Sequence, residues 1–247
     1  MHRGGPELAG QGLPFPNEAQ TLLLKAAIGP AEGVGEAFGA WRAMTDIEAP
    51  VDGGTYRLFP LLYTPLVAMG MNDTLMGRLK GVYRRAWYEN NLLFHRVMPV
   101  VGALEAAGIA CMVMKGMPIA LCFHASHATR PMADLDLLVR NHQAADARRV
   151  LEGLGFAATT KHPAHEQPDL HAQDFRNAEG TEIDLHWYAL REVPGSVIDD
   201  WFWATALPFT YEGVTCVRPA ATPLLAHTLL HGLRSNLEPS IRWVSDA

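Results

Sequence analysis

Two aspartates, Asp134 and Asp136, stand two residues apart at the start of the apolar segment DLDLLV. Side chains alternate between the two faces of a strand, so both carboxylates share one face and the intervening apolar side chains line the other. Carboxylates this close repel each other unless a cation offsets their charge. The pair therefore predicts a cation site, and the simpler alternative is a solvated strand end that pairs with Arg130 or Arg140.

A second acidic segment, TEIDLHW, follows further along the chain, and alternation places Glu182, Asp184 and His186 on one face. Together with Asp134 and Asp136, Asp184 could form a cluster of three carboxylates, whose oxygens suit Mg²⁺ or Mn²⁺ rather than zinc. We expect Glu182 to face solvent or an arginine. His186 is expected either to orient Asp184 or to pack in the core.

Lys115 and Gly116 follow the apolar run IACMVM and precede a segment with a proline in its first predicted helical turn. Glycine lets the backbone approach a ligand closely, and the first N–H groups of a helix attract anions. Lys115 adds a positive charge, and the guanidinium of Arg130 adds a forked contact suited to phosphate oxygens. These residues predict a phosphate-binding site; the alternatives are an ordinary turn and a surface ion pair for Arg130.

The elements that must position these residues alternate between strands and helices. Strands are predicted at 109–114 and at about 133–139, each followed by a helix, and a hairpin is predicted at about 171–187. The longest helical periodicity runs from about 73 to 107, and the segment after about 219 is helical again. The pattern predicts an α+β fold, in which a small mixed-sheet core is flanked by N-terminal and C-terminal helical regions.

Three regions follow from this pattern. They are an N-terminal arm and helical region at 1–104, an α/β core at 105–218, and a C-terminal helical region at 219–247. Because the chain stops without a helix-ending signal, we expect the last region to continue in a longer protein.

The composition describes a globular protein, since 49% of the 247 residues are hydrophobic and 19% are charged. The net charge of −6 argues against broad nucleic-acid binding. The first residues lack the continuous apolar stretch of a secretory signal, and no run of about 18 apolar residues predicts a membrane span. Three scattered cysteines without a CxxC pair are typical of buried free thiols, so we expect a cytoplasmic location.

The order of the motifs resembles that of the nucleotidyltransferase-like proteins of the DNA polymerase β superfold: Lys-Gly, an arginine, Asp-x-Asp before an apolar strand, and later EIDLHW. More narrowly, it resembles an uncharacterised bacterial branch with Lys-Gly where most members have Gly-Ser. The resemblance covers about residues 76–247. It implies a nucleotidyltransferase core and a metal-dependent enzyme that transfers an NMP from an NTP to an acceptor and releases pyrophosphate.

The resemblance also implies roles for individual residues. Asp134 and Asp136 would bind two Mg²⁺ or Mn²⁺ ions, one that activates the attacking oxygen and one that stabilises the leaving pyrophosphate. Asp184 would complete the catalytic metal site and help deprotonate the acceptor hydroxyl. Gly116 and the helix after it would hold the triphosphate of an NTP such as ATP, with Lys115 alongside. The acceptor would be a small molecule, a peptide or a protein.

Two features depart from the pattern of the superfold. Met117 stands where a serine usually follows the glycine, and the interval from Gly116 to Asp134 is longer than in most members. These departures keep a second function open, that of a catalytically silent nucleotide-binding, accessory or regulatory module on the same fold.

Overall fold

The structure, a computed structural model, describes residues 14–46, 49–159, 171–234 and 241–247. The first part of the predicted N-terminal arm, 1–13, lies outside the described residues. By its internal contacts the chain forms two compact units, Met1–Arg84 with Thr228–Ala247, and Arg85–His227. The boundaries at 104 and 218 remain a prediction about domains.

Over the described residues, the secondary structure combines α-helices with seven strands. The helices are α1 (Glu18–Ile28), α2 (Val34–Met44), α3 (Gly53–Ala68), α4 (Met76–Ala106), α5 (Gly116–Cys122), α6 (Ala144–Gly153), α7 (Ser196–Ala204), α8 (Ala221–Gly232) and α9 (Trp243–Asp246). The strands are β1 (Cys111–Met114), β2 (Asp134–Val139), β3 (Ala157–Ala158), β4 (Ala172–Arg176), β5 (Glu182–His186), β6 (Leu207–Tyr211) and β7 (Val214–Arg218). Short 3-10 turns lie at Ala31–Gly33, His127–Thr129 and Asn141–Gln143. None of the helices that the structure describes is long and apolar enough to cross a membrane.

The first unit is helical over its described residues, and side-chain caps fix where two of its helices begin. Asn17 and Gln20 form a capping box at the start of α1, and the Asp52 carboxylate accepts a hydrogen bond of 2.9 Å from Thr55 N at the start of α3. The apolar faces of α1, α2 and α3 meet around the buried rings of Trp41 and Phe59. This unit therefore has a hydrophobic core of its own.

The second unit is built on a mixed sheet with the strand order β3-β4-β5-β2-β1-β7-β6. Strand β2 pairs antiparallel with β1 and parallel with β5, and β5 pairs antiparallel with β4. The predicted α+β class with a mixed sheet is confirmed.

Strand β2 shows the alternation that the sequence predicts. Leu135, Leu137 and Val139 are at most 1% exposed and belong to the core of the second unit. Asp134 and Asp136 point to the opposite face. The predicted helix at 73–107 is also present, as the continuous helix α4, in which Pro99 lies without ending it.

One hairpin was not predicted from the sequence. Strands β6 and β7 pair antiparallel around Glu212 and Gly213, whose φ angles of 48° and 81° match a tight two-residue turn. Strand β6 is one edge of the sheet and contains Pro208, and the opposite edge is β3, which has only two residues.

Candidate active site

The parallel pairing of β2 with β5 brings two of the predicted carboxylates together. Asp136 is the register partner of Asp184, and Asp134 is the register partner of Glu182. Directly paired residues point to the same face of a sheet, so the acidic faces of the two strands are one surface. The side chain of Asp136 is 8% exposed and that of Asp184 is 20% exposed, so both carboxylates are largely withdrawn from water.

The Lys115 ammonium lies against both carboxylates. Lys115 directly follows β1, and its Nζ donates a hydrogen bond to Asp136 Oδ1. The same Nζ lies 3.6 Å from Asp184 Oδ2 and 3.2 Å from His186 Nε2. The backbone of Lys115 has a φ of 50°, in the left-handed region that side chains rarely adopt. The ammonium is thus directed into the carboxylate pair, while the backbone turns into α5.

His186 completes the cluster from the same strand as Asp184. Its side chain is 2% exposed, and its Nε2 lies 2.9 Å from Asp184 Oδ2 and 3.2 Å from Asp136 Oδ1. Two buried atoms here, His186 Nδ1 and Asp184 Oδ1, have no hydrogen-bond partner among the described residues. His186 is therefore packed in the core and also bridges the two carboxylates, which combines the two alternatives expected from the sequence.

The charges of the cluster shift one another's pKa values. Burial would raise the pKa of Asp136, but the Lys115 ammonium, followed by His186, holds it well below its usual range. Burial would likewise raise the pKa of Asp184, and His186 and Lys115 lower it. Burial would lower the pKa of Lys115, but Asp136 and Asp184 raise it above its ordinary value. The ionised forms of both carboxylates and of the lysine are therefore favoured.

His186 and Asp134 shift toward their protonated forms. Burial and Lys115 lower the pKa of His186, but the Asp184 and Asp136 carboxylates raise it above its ordinary value. Burial and the charge of Asp136 raise the pKa of Asp134, although Lys115 opposes the shift. The effects of burial and of Asp136 on the pKa of Asp134 together outweigh that of the lysine.

A fourth carboxylate, Asp174, lies in the same row and was missed by the sequence analysis. It is the register partner of Asp184 on β4, and it is exposed. Burial and the charge of Asp184 raise its pKa. The signal that could have found it is the predicted hairpin itself, because a turn between Arg176 and Glu182 fixes which residues face each other.

The turn at Gly116 is tightly packed against the segment that leads into β2. A β-carbon at position 116 would lie 2.8 Å from Arg130 Nη1 and 2.8 Å from Met132 Sδ. Arg130 is 5% exposed, so the guanidinium is not the surface group of the simpler alternative. The absence of a side chain at position 116 thus allows the guanidinium to approach the backbone.

Helix α4 holds this segment through Asn90, which is fully buried. Its Nδ2 donates to the carbonyls of His127 and Arg130 at 2.7 and 2.9 Å, and its Oδ1 accepts a hydrogen bond of 3.1 Å from Met132 N. One side chain therefore fixes three backbone groups in the segment that carries the predicted phosphate ligand.

Comparison with known proteins gives the class of the chain. A family described as "Uncharacterised nucleotidyltransferase" matches residues 55–247, which is more than half of the chain. The chain belongs to this nucleotidyltransferase family. The match confirms the resemblance that the motif order predicts, and with it the predicted enzyme class.

Among the solved structures that are similar to part of the nucleotidyltransferase chain is that of an adenylyltransferase. It is the crystal structure of the lincosamide antibiotic adenylyltransferase LnuA with lincomycin bound, at 14% sequence identity and a TM-score of 0.39. The similarity covers 58% of this chain and 88% of that chain. No curated protein matches the nucleotidyltransferase chain.

The site of this nucleotidyltransferase brings some of the sequence-predicted residues into contact and leaves others at its border. Ligand atoms of Asp136, Asp184 and His186 lie within 4.8 Å of one another, which makes them a possible metal-binding group. Asp134 shares their face of the sheet but is not a member of that group, and it is exposed at the start of β2. Lys115 contacts the group directly. The roles of all these residues in metal and nucleotide binding remain predictions.

Two charged residues that the sequence left open have other partners. Glu182 accepts a hydrogen bond from the Arg176 guanidinium across the β4–β5 hairpin, so it pairs with an arginine as expected. Arg140 lies at the far end of β2, where it forms an ion pair of 3.4 Å with Asp200 and covers the ring of Trp203.

Proposed function

We propose that this chain is a metal-dependent nucleotidyltransferase that moves an NMP from an NTP to an acceptor and releases pyrophosphate. The observation that supports the proposal most directly is the pairing of Asp136 with Asp184 on neighbouring strands, beside the Lys115–Gly116 turn. It carries weight because the chain belongs to a nucleotidyltransferase family.

The donor atoms of the cluster fit a divalent cation. Carboxylate oxygens are the ligands that Mg²⁺ and Mn²⁺ prefer, and an imidazole nitrogen is acceptable to Mn²⁺. Asp184 Oδ1 is buried and accepts no hydrogen bond from the described residues, so it has a lone pair available for a cation. We assign the binding of the ion to Asp134, Asp136 and Asp184. When bound there, a divalent ion withdraws negative charge from the phosphate oxygens and from the attacking oxygen.

Three groups of this chain are proposed to hold the triphosphate. The Lys115 ammonium and the Arg130 guanidinium supply positive charge, and because Gly116 has no side chain the guanidinium can lie against the backbone of the turn. Their task is to place the α-phosphorus in line with the attacking group, since positioning supplies much of the rate in phosphoryl and nucleotidyl transfer.

The proposed reaction is a single displacement at the α-phosphorus. The acceptor oxygen, or another nucleophile, forms a bond to the α-phosphorus while the bond from that phosphorus to the α,β-bridging oxygen breaks. Pyrophosphate leaves with the electron pair of the broken bond. Asp184 takes the proton of the acceptor hydroxyl. Because the pKa of Asp184 is lowered, it is a weak base, and it accepts this proton only when the attacking hydroxyl becomes strongly acidic in the transition state. The acceptor is a small molecule, a peptide or a protein.

Calorimetry of NTP binding with Mg²⁺, followed by an assay of pyrophosphate release with candidate acceptors, tests the proposal. Asp134→Asn is the sharpest variant, because Asp134 is exposed and contributes little to the core. We expect it, Asp136→Asn and Asp184→Asn to lower turnover by at least about a hundredfold. Asp146→Asn, on the surface of α6, is the matched control and should leave turnover unchanged. Unchanged binding and turnover in Asp136→Asn would overturn the proposal.

A second candidate function is a catalytically silent nucleotide-binding or regulatory module. Two observations favour it: Lys115 already neutralises much of the carboxylate pair, and Met117 is buried at the position where the superfold usually offers a serine hydroxyl. Mg²⁺-dependent NTP binding without pyrophosphate release, across small-molecule, peptide and protein acceptors, would favour this function over the first.

We also propose that the protein acts in the cytoplasm and has no broad nucleic-acid partner. Cys111, Cys122 and Cys216 are free thiols, as is usual in reducing compartments, and the net charge of −6 disfavours nucleic-acid backbones.

A further inference from the structure

The centre of the carboxylate cluster is filled by a cation that belongs to the chain. The Lys115 ammonium contacts Asp136 Oδ1, Asp184 Oδ2 and His186 Nε2, and these three residues are the possible metal-binding group. A divalent ion bound to the same oxygens would stand in the place of the ammonium.

We infer that Lys115 is an internal cation that competes with a divalent ion for Asp136 and Asp184, and that a bound triphosphate relieves this competition. The inference rests on the proposed function, because it assumes that divalent ions bind at these carboxylates. Beyond that function, the metal and the nucleotide bind cooperatively through the side chain of Lys115.

The competition follows from charge and burial. The lysine side chain is 17% exposed, and Asp136 and Asp184 are 8% and 20% exposed, so water screens these charges poorly. A divalent ion that approaches the oxygens is repelled by the ammonium and must displace it. Displacement without a new partner would leave a charged ammonium partly buried, which is unfavourable.

A triphosphate supplies the new partner. The ammonium sits on a flexible four-carbon stem, and Lys115 directly precedes Gly116, the turn at which we propose that the triphosphate binds. The ammonium can therefore move from Asp136 to a phosphate oxygen without movement of the strand. The metal then finds free carboxylate oxygens, and by thermodynamic linkage each ligand strengthens the binding of the other by the same factor.

The experiment is a Mn²⁺ titration followed by electron paramagnetic resonance of the free ion, with and without α,β-methylene-ATP, whose α,β bond cannot be cleaved by transfer. Wild type is compared with Lys115→Met, which keeps the length of the side chain and removes its charge. Lys80→Met is the matched control, because Lys80 is exposed on α4.

For Mn²⁺ alone, we expect Lys115→Met to bind at least about tenfold more tightly than wild type. The nucleotide should strengthen Mn²⁺ binding to wild type more than to Lys115→Met, since the variant has no ammonium to relocate. Lys80→Met should match wild type in both titrations. Without metal, Lys115→Met should unfold at a lower temperature, and saturating Mn²⁺ should raise that temperature more than in wild type.

Two outcomes separate the inference from the function on which it rests. Equal Mn²⁺ affinity of wild type and Lys115→Met, with clear binding to both, would overturn the inference and leave the metal-dependent function standing. A lack of Mn²⁺ binding in every variant, with and without nucleotide, would instead overturn the proposed metal site. If Lys115→Met does not fold, Lys115→Gly removes the same charge and suits the positive φ at this position, and the same affinities are expected of it.

Discussion

Lys115 illustrates how far individual residues can be interpreted from the sequence. Its position after a buried strand and before a glycine predicts a charged group at the site. The direction of its side chain depends on a φ of 50° and on the neighbours that the sheet supplies, Asp136 and Asp184. Neither is encoded locally, so the ion pair of Lys115 with the carboxylates could not be predicted. Asp174 was missed for the same reason, because its importance comes from its cross-strand partner.

Two neutral substitutions in the acidic row should change stability in opposite directions. Asp136→Asn should lower the free energy of unfolding by about 3 kcal/mol at pH 7 without metal, because it removes the closest partner of the buried Lys115 ammonium. Asp174→Asn should raise it by a few tenths of a kcal/mol, because Asp174 faces the like charge of Asp184. Chemical denaturation measures both.

The direction of the stability change in Asp174→Asn tests whether the surroundings of Asp174 repel its charge. The folded state raises the pKa of Asp174, so its ionised form at neutral pH opposes folding. A loss of stability in Asp174→Asn would mean that the carboxylate has a stabilising partner that outweighs Asp184.

The three cysteines should differ in reactivity. Burial, with the charge of nearby Glu105, raises the pKa of the Cys216 thiol to about 12, and burial raises that of Cys111 even further. Cys122 is exposed. Since the thiolate is the reactive form, we expect Ellman's reagent to modify one thiol per folded chain and all three after denaturation. Cys122→Ser should abolish the fast reaction, and a fast reaction that persists in this variant would contradict the prediction.

Among the elements, helix α4 has a role that its sequence pattern does not reveal. Its apolar periodicity predicts a helix that packs on a core, and the helix is present. Asn90 is the buried polar residue of this helix, and its contacts with His127, Arg130 and Met132 join segments that are far apart in sequence. Only the tertiary structure shows that the helix fixes the segment that leads into β2.

Asn90→Asp tests this anchoring. The change keeps the size of the side chain but removes both donated hydrogen bonds and buries a carboxylate, so we expect a loss of about 3 kcal/mol in the free energy of unfolding. Hydrogen exchange of the amides at 127–132 should also become faster. Asn72→Asp, at an exposed position, is the control and should change neither quantity. Unchanged exchange at 127–132 would show that other contacts hold the segment.

Two glycine-to-alanine substitutions should change stability in opposite directions, because one lies in a packed turn and the other on an open helix surface. In Gly116→Ala the new methyl group meets Arg130 and Met132 at 2.8 Å, so we expect a loss of about 1 to 3 kcal/mol in stability and weaker NTP binding. In Gly81→Ala the methyl group meets nothing within 4 Å on helix α4, so we expect a gain of about 0.5 to 1 kcal/mol. Denaturation and calorimetry provide the measurements. Equal NTP affinity in wild type and Gly116→Ala would argue against a nucleotide site at this turn.

The two hairpins differ in how clearly their sequences predict them. The β4–β5 hairpin was predicted because both of its strands alternate and a polar turn separates them. The β6–β7 hairpin also has a tight turn at Glu212 and Gly213, but β6 is an edge strand and both strands are only partly buried, so their alternation is weak. Edge strands bury less apolar surface, and their sequence pattern is correspondingly less distinct.

In the molecule as a whole, the position of β5 next to β2 decides whether there is a site. Parallel strands are joined by long connections, so their order in a sheet is not readable from local patterns. The alternation within each strand predicts which residues share a face, and the motif order predicts the superfold. The register that pairs Asp136 with Asp184 is then a property of the assembled sheet.

Ligand binding should stabilise the whole chain measurably. An Mg²⁺–NTP complex at about 100 times its dissociation constant adds about 2.7 kcal/mol to the free energy of unfolding, which corresponds to a rise of about 5 to 10 °C in Tm for a protein of this size. Excess EDTA should reverse the rise. NTP without a divalent ion, and Mg²⁺ with a nucleoside, are the controls. A rise that EDTA does not reverse would indicate nucleotide binding without the proposed metal.

The two edge strands of the sheet affect how readily the protein aggregates in concentrated solution. A strand with an unpaired side can add a strand from another molecule, and this is a common start of aggregation. Here one terminal strand, β3, has two residues, and the other, β6, carries Pro208, which has no N–H to donate. Both described borders are thus poor templates for intermolecular pairing, so a sheet with seven strands can remain monodisperse without a partner along its sides.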